Sequence, residues 1–103
     1  MRIAAWLLAF AISVAGVAEA QPLGQILRDS ARFDRRPVLV HGTVGLIEPA
    51  AGDRQGFLLM EAGAHVRVLA PPQQAIRSGD RVEVEGTWNM VGSYIDAFRV
   101  SMR

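Results

Sequence analysis

From Val38 onward the apolar residues of this chain recur at every second position, in short bursts broken by glycine and proline. Val38, Val40 and Val44 alternate with Leu39, His41 and Thr43; Val66 and Val68 alternate with His65 and Arg67; Val82 and Val84 alternate with Arg81, Glu83 and Glu85. A period of two belongs to half-buried β-strands, apolar on one face and wet on the other. Five strands are predicted, the second of them apolar on both sides. The first is long and starts behind Pro37, which cannot donate to a ladder and so suits a strand's first position. Gly42 in its middle predicts a bulge or sharp bend. Glu48 to Gln55, with Pro49, Gly52 and Asp53, is a loop. Phe57 to Glu61 is a second strand, joined tightly through Ala62-Gly63 to a third, His65 to Ala70. Pro71-Pro72 stops it, Gln73 to Arg77 forms about one helical turn, and Ser78-Gly79-Asp80 leads on. Arg81 to Trp88 is the fourth strand, Asn89 to Ser93 a loop, and Tyr94 to Val100 the fifth.

The front of the chain has a different character. Met1-Arg2 is a short positive start, Ile3 to Val17 carries no charge, and Ala18-Glu19-Ala20 is a small-x-small site before Gln21. Those three parts predict a secretory signal peptide over residues 1–20, cleaved after Ala20, and a periplasmic or secreted mature protein. The apolar run falls short of the roughly 20 residues of a spanning helix, so no membrane anchor is expected after cleavage. No twin arginine is present, which favours export as an unfolded chain. This segment also explains a mean hydropathy of +0.20 and a hydrophobic content of 50%, high for a small soluble domain. The remainder is of ordinary polarity, because every arginine but Arg2 and every acid but Glu19 lies beyond Gln21. A length of 103 residues excludes a multidomain enzyme, and a net charge of +1 argues against a basic nucleic-acid arm. The absence of cysteine excludes disulfides, lipid attachment at a cysteine, thiolate catalysis and cysteine-held zinc or haem.

Residues 21–36 form an N-terminal helix and lead-in, and residues 37–103 the strands. Leu23, Ile26, Leu27 and Ala31 share one helical face, with Arg28, Asp29 and Arg32 on the wet side and Phe33-Asp34 ending the pattern. A long strand, a loop, a hairpin, a linker and a second hairpin, after a small helix, make the layout of a five-stranded Greek-key barrel of the OB (oligonucleotide/oligosaccharide-binding) type. The segments ILRDSARFDRRPVLVHGTVG, GFLLMEAGAHVRVLAP, SGDRVEVEGTW and GSYIDAFRV resemble, over nearly all of the mature chain, the single OB domains of exported bacterial proteins. That resemblance implies an all-β barrel and the binding of small ligands or cations. The family prefers an acid at the exit of its second strand, and Glu61 stands there. A distant resemblance to the periplasmic haem chaperone of cytochrome c maturation stops short of its chemistry: no histidine follows His65.

OB barrels bind across strands two and three and the flanking loops. The residues expected to line such a ligand site are Phe57, Arg67, Trp88, Tyr94 and Arg54: aromatic rings on which a ligand stacks and cations for a phosphate backbone. A bland reading stands beside it, with Trp88 capping the barrel end and the arginines solvating it. His41, His65 and Glu61 are the weak metal candidates, mixed nitrogen and carboxylate donors suited to zinc or copper. Arg28, Arg32, Arg35 and Arg36, interleaved with Asp29 and Asp34, fit a solvated face. Met60 and Met90 fit gap-fillers. No phosphate loop, nucleophile elbow or zinc-protease helix occurs, so no catalytic residue is expected. The chain reads as an exported, non-catalytic binding module without cofactor, for a small or extended ligand or a periplasmic protein. Single-stranded nucleic acid or polyanion binding, and metal or haem carriage, are the alternatives.

Overall fold

The computed structural model describes residues 19–72 and 76–103, so the signal segment, apart from Glu19 and Ala20, and residues 73–75 of the linker lie outside the described residues. Ile76 and Arg77 are not helical; the Arg77 N–H donates to Asp80 Oδ2 at 2.8 Å, closing a turn instead.

The helix expected before the barrel is two pieces, α1 (Leu23–Arg28) and α2 (Ser30–Phe33), separated by Asp29 at φ −107, ψ 42. Asp is a poor helix interior residue because its carboxylate competes for nearby backbone groups. Leu23 and Ile26 are buried in the barrel core, with Leu27 and Phe33 packed partly against it. Ala31 is exposed rather than on that stripe, because the break at Asp29 re-aims α2.

Five strands follow: β1 (Pro37–Ile47), β2 (Gln55–Glu61), β3 (Ala64–Ala70), β4 (Arg81–Asn89) and β5 (Tyr94–Met102). They close in the order β1-β2-β3-β5-β4 and back to β1. All pairings are antiparallel except β3 with β5, which run parallel. This is the five-stranded Greek-key barrel of the OB fold. Its interior is the set that alternation assigned inward: Val38, Val40, Val44, Val66, Val68, Val82 and Val84, with Phe57, Leu59, Trp88, Ile95 and Ala97. Each large side chain fully buried there contributes about 1.5–3 kcal/mol.

Two glycines mark close approaches. At Gly42 a Cβ would lie 2.7 Å from the Met60 carbonyl and 2.8 Å from Leu59 Cδ1, so β1 presses against β2 there. The irregularity in β1 falls later, between Val44 and Ile47, and corrects the expectation of a bulge at Gly42. At Gly86 a Cβ would stand 2.4 Å from the Asp96 carbonyl, beside the β4–β5 bulge at Glu85/Gly86.

β1 pairs with β2 only from Thr43 on. The preceding stretch of β1 edge is met at Leu39 by Gln21, whose N–H donates to the Leu39 carbonyl at 2.7 Å. In return the Leu39 N–H donates to Gln21 Oε1 at 3.3 Å. Gln21, the first residue after the expected cleavage site, is thus anchored to the barrel.

Candidate binding groove

Antiparallel register sets outward-facing side chains of neighbouring strands side by side. Arg81 pairs with Thr43, Thr43 with Met60, and Met60 with His65, while the Arg103 N–H donates to the Arg81 carbonyl at 2.9 Å. Arg103, Arg81, Thr43, Met60 and His65 therefore form one row across the outside of the barrel, from the end of β5 to the start of β3. The next row holds Glu83 opposite His41. The first row and His41, together with Leu58, Glu61 and the β2–β3 turn, line a depression of about 650 Å³, within the range of roughly 300–1,000 Å³ of small-molecule sites.

The guanidinium groups are gathered at one end. An Arg103 guanidinium nitrogen lies 2.7 Å from His41 Nδ1. Arginine only donates, so Nδ1 accepts, and the ring takes the tautomer with its proton on Nε2. That Nε2 faces Glu83 Oε1 at 3.3 Å and donates to it. His41 thus props Arg103 over the groove. Neither Arg81 nor Arg103 has a carboxylate partner among the described residues. The floor beside them is apolar: a Cβ at Gly45 would touch the Met60 methyl at 3.1 Å and Leu58 Cδ2 at 3.4 Å, so both side chains lie over the bare glycine.

The metal trio borders this same groove, yet two of its three members, His41 and Glu61, are otherwise engaged. Both His41 nitrogens are taken, and Glu61 Oε1 accepts from the Leu23 N–H at 2.7 Å, tying β2 to the first turn of α1. Only His65 stands free and exposed. Among the described residues no group of three or more His, Cys, Asp or Glu is placed to hold a metal.

The ligand residues expected from sequence fall elsewhere. Phe57 is 0% exposed and Trp88 1%, so neither ring offers a stacking surface. Aromatic residues serve cores and binding faces alike; here both fill the core, and Trp88 donates its indole N–H to Ser30 Oγ at 2.9 Å. Tyr94 is half-buried and accepts from Asn89 Nδ2 at 3.3 Å.

Arg67 and Arg54 do lie on the β3–β5 side, but each is neutralised. Arg67 binds Glu48 in a fork, Nε to Oε2 at 2.8 Å and an Nη to Oε1 at 2.7 Å. The hydrogen bond from Arg67 holds the Glu48 carboxyl below its ordinary range, and the same bond raises Arg67. Gly56 leaves room for that carboxylate, since a Cβ there would come within 2.6 Å of it. Arg54 pairs with Asp96. The loop between β1 and β2 is thereby fastened to β3 and β5 by its own charges. Sequence reasoning missed Arg81, Arg103 and Thr43. Their signal was the outward phase of each strand, but it converges only once register is known.

Compared with known protein families and with curated proteins, the chain matches no family model and no individual protein.

Proposed function

We propose that the chain is exported and that its mature domain is a non-catalytic binding module for a small amphiphilic anion. The observation that carries this reading is the groove: two guanidinium groups without carboxylate partners stand at one end, and Met60 and Leu58 line the floor beyond them. Such an arrangement takes a carboxylate or phosphate head on Arg81 and Arg103 and an apolar tail along Met60 toward His65. Export draws support from Gln21, which ties to β1 directly after the small-x-small site. The polyanion reading loses its support on the expected face, where Arg54 and Arg67 are matched by acids and Phe57 and Trp88 are inside. The metal and haem readings lose theirs with the engaged His41 and Glu61.

Calorimetric titration with octanoate and octanol tests the proposal. Octanoate is expected to bind and octanol to bind more weakly, and the double variant R81Q/R103Q is expected to lose about tenfold or more, as befits charged hydrogen bonds. Equal binding of acid and alcohol, no binding of octanoate, or no effect of the double variant would overturn it.

A further inference from the structure

Gln21 touches the barrel through two atoms, its backbone nitrogen and its side-chain oxygen, and both meet the one residue Leu39. Those are the atoms that ring closure of an N-terminal glutamine places side by side, as the N–H and C=O of one lactam. Resting on the reading that the chain is exported and cut after Ala20, we propose that the mature N-terminus is a pyroglutamate docked on the β1 edge at Leu39.

The step balances without any co-reactant. Before cleavage the Gln21 nitrogen is the amide of the Ala20–Gln21 bond and is not a nucleophile; cleavage frees it as an amine. Its lone pair attacks the side-chain Cδ, the N–Cδ bond forms and the Cδ–Nε2 bond breaks. Nε2 leaves as ammonia, carrying off one proton from the attacking nitrogen, and nothing is oxidised or reduced.

The site discriminates between the two forms of the terminus. Gln21 is half-buried, and one carbonyl meets its nitrogen. An ammonium there would bring a charge and several donors to a place with one acceptor, and desolvating an undermatched charge is costly. The lactam is neutral, with one donor for the Leu39 carbonyl and one acceptor for the Leu39 N–H. It also closes strand edge that β2 leaves open before Thr43, where a bare edge invites pairing with other chains.

The test is the intact and N-terminal peptide mass of the exported protein, made as the full precursor with its own leader. The expected species starts at position 21 and is lighter by one ammonia than the open glutamine form. The variant Q21E, whose glutamate cyclises far more slowly, is expected to start at the same residue, keep its amine and melt at a lower temperature. A wild-type chain that starts at an open Gln21 would overturn the cyclisation and leave the export reading standing, whereas a chain retaining Met1 or starting elsewhere removes both. Coincident melting of cyclised wild type and open Q21E would overturn the docking on Leu39.

Discussion

Trp88 carries the only polar atom of the largest buried side chain, and that atom is satisfied by a residue 58 positions away in the chain, Ser30 of α2. Replacing Ser30 with alanine leaves a buried N–H without its partner, a loss of about 1–3 kcal/mol. Chemical denaturation of S30A measures it, and a cost near zero would mean that water reaches the indole. Glu48 and Arg67 are the opposite case, exposed and charged. Arg67 lowers the Glu48 pKa in the folded chain, so its contribution is complete above the unfolded pKa and disappears as pH falls through the folded one. Solvent screens so exposed a pair, and the effect is small. Melting of wild type and E48Q should differ at neutral pH, and the gap should shrink once pH falls below the ordinary carboxylate pKa and close only below the lowered folded one. A gap independent of pH would assign the difference to something other than this charge.

At the scale of elements, the β2–β3 hairpin turns on Ala62 and Gly63, both with positive φ, at 49° and 84°. This is the two-residue mirror-image turn that matches strand twist and favours Asn-Gly. Alanine in that conformation costs roughly 1–2 kcal/mol relative to a relaxed one, so A62N is expected to stabilise the chain by up to about 1 kcal/mol. Equilibrium unfolding in urea reads the change, and a destabilised A62N would show that the groove rim needs the small side chain. Strands and this turn were legible because alternation and Ala62-Gly63 are local signals. The break at Asp29 was not, since continuous periodicity from Leu23 to Ala31 gives no sign of it. Nor was the site, because Thr43, Arg81 and Arg103 are brought into one row by pairing register, which links positions far apart in sequence.

For the whole molecule, a small chain without cysteine has only packing and closure to hold it, and closure is achieved by strands while the core is completed by α1. Leu23 and Ile26 are fully buried among the barrel's valines, so the helix belongs to the same cooperative unit as the strands. Glu61 reinforces this by binding the Leu23 N–H from the end of β2. Truncating Ile26 to alanine is expected to cost about 2–5 kcal/mol, a large share of the roughly 5–15 kcal/mol that stabilise a domain. Urea unfolding of I26A followed by Trp88 fluorescence and by far-ultraviolet circular dichroism should give one coincident transition, shifted to lower denaturant with an unchanged slope. If the two probes separated, α1 would be a detachable arm, and the barrel would close without it.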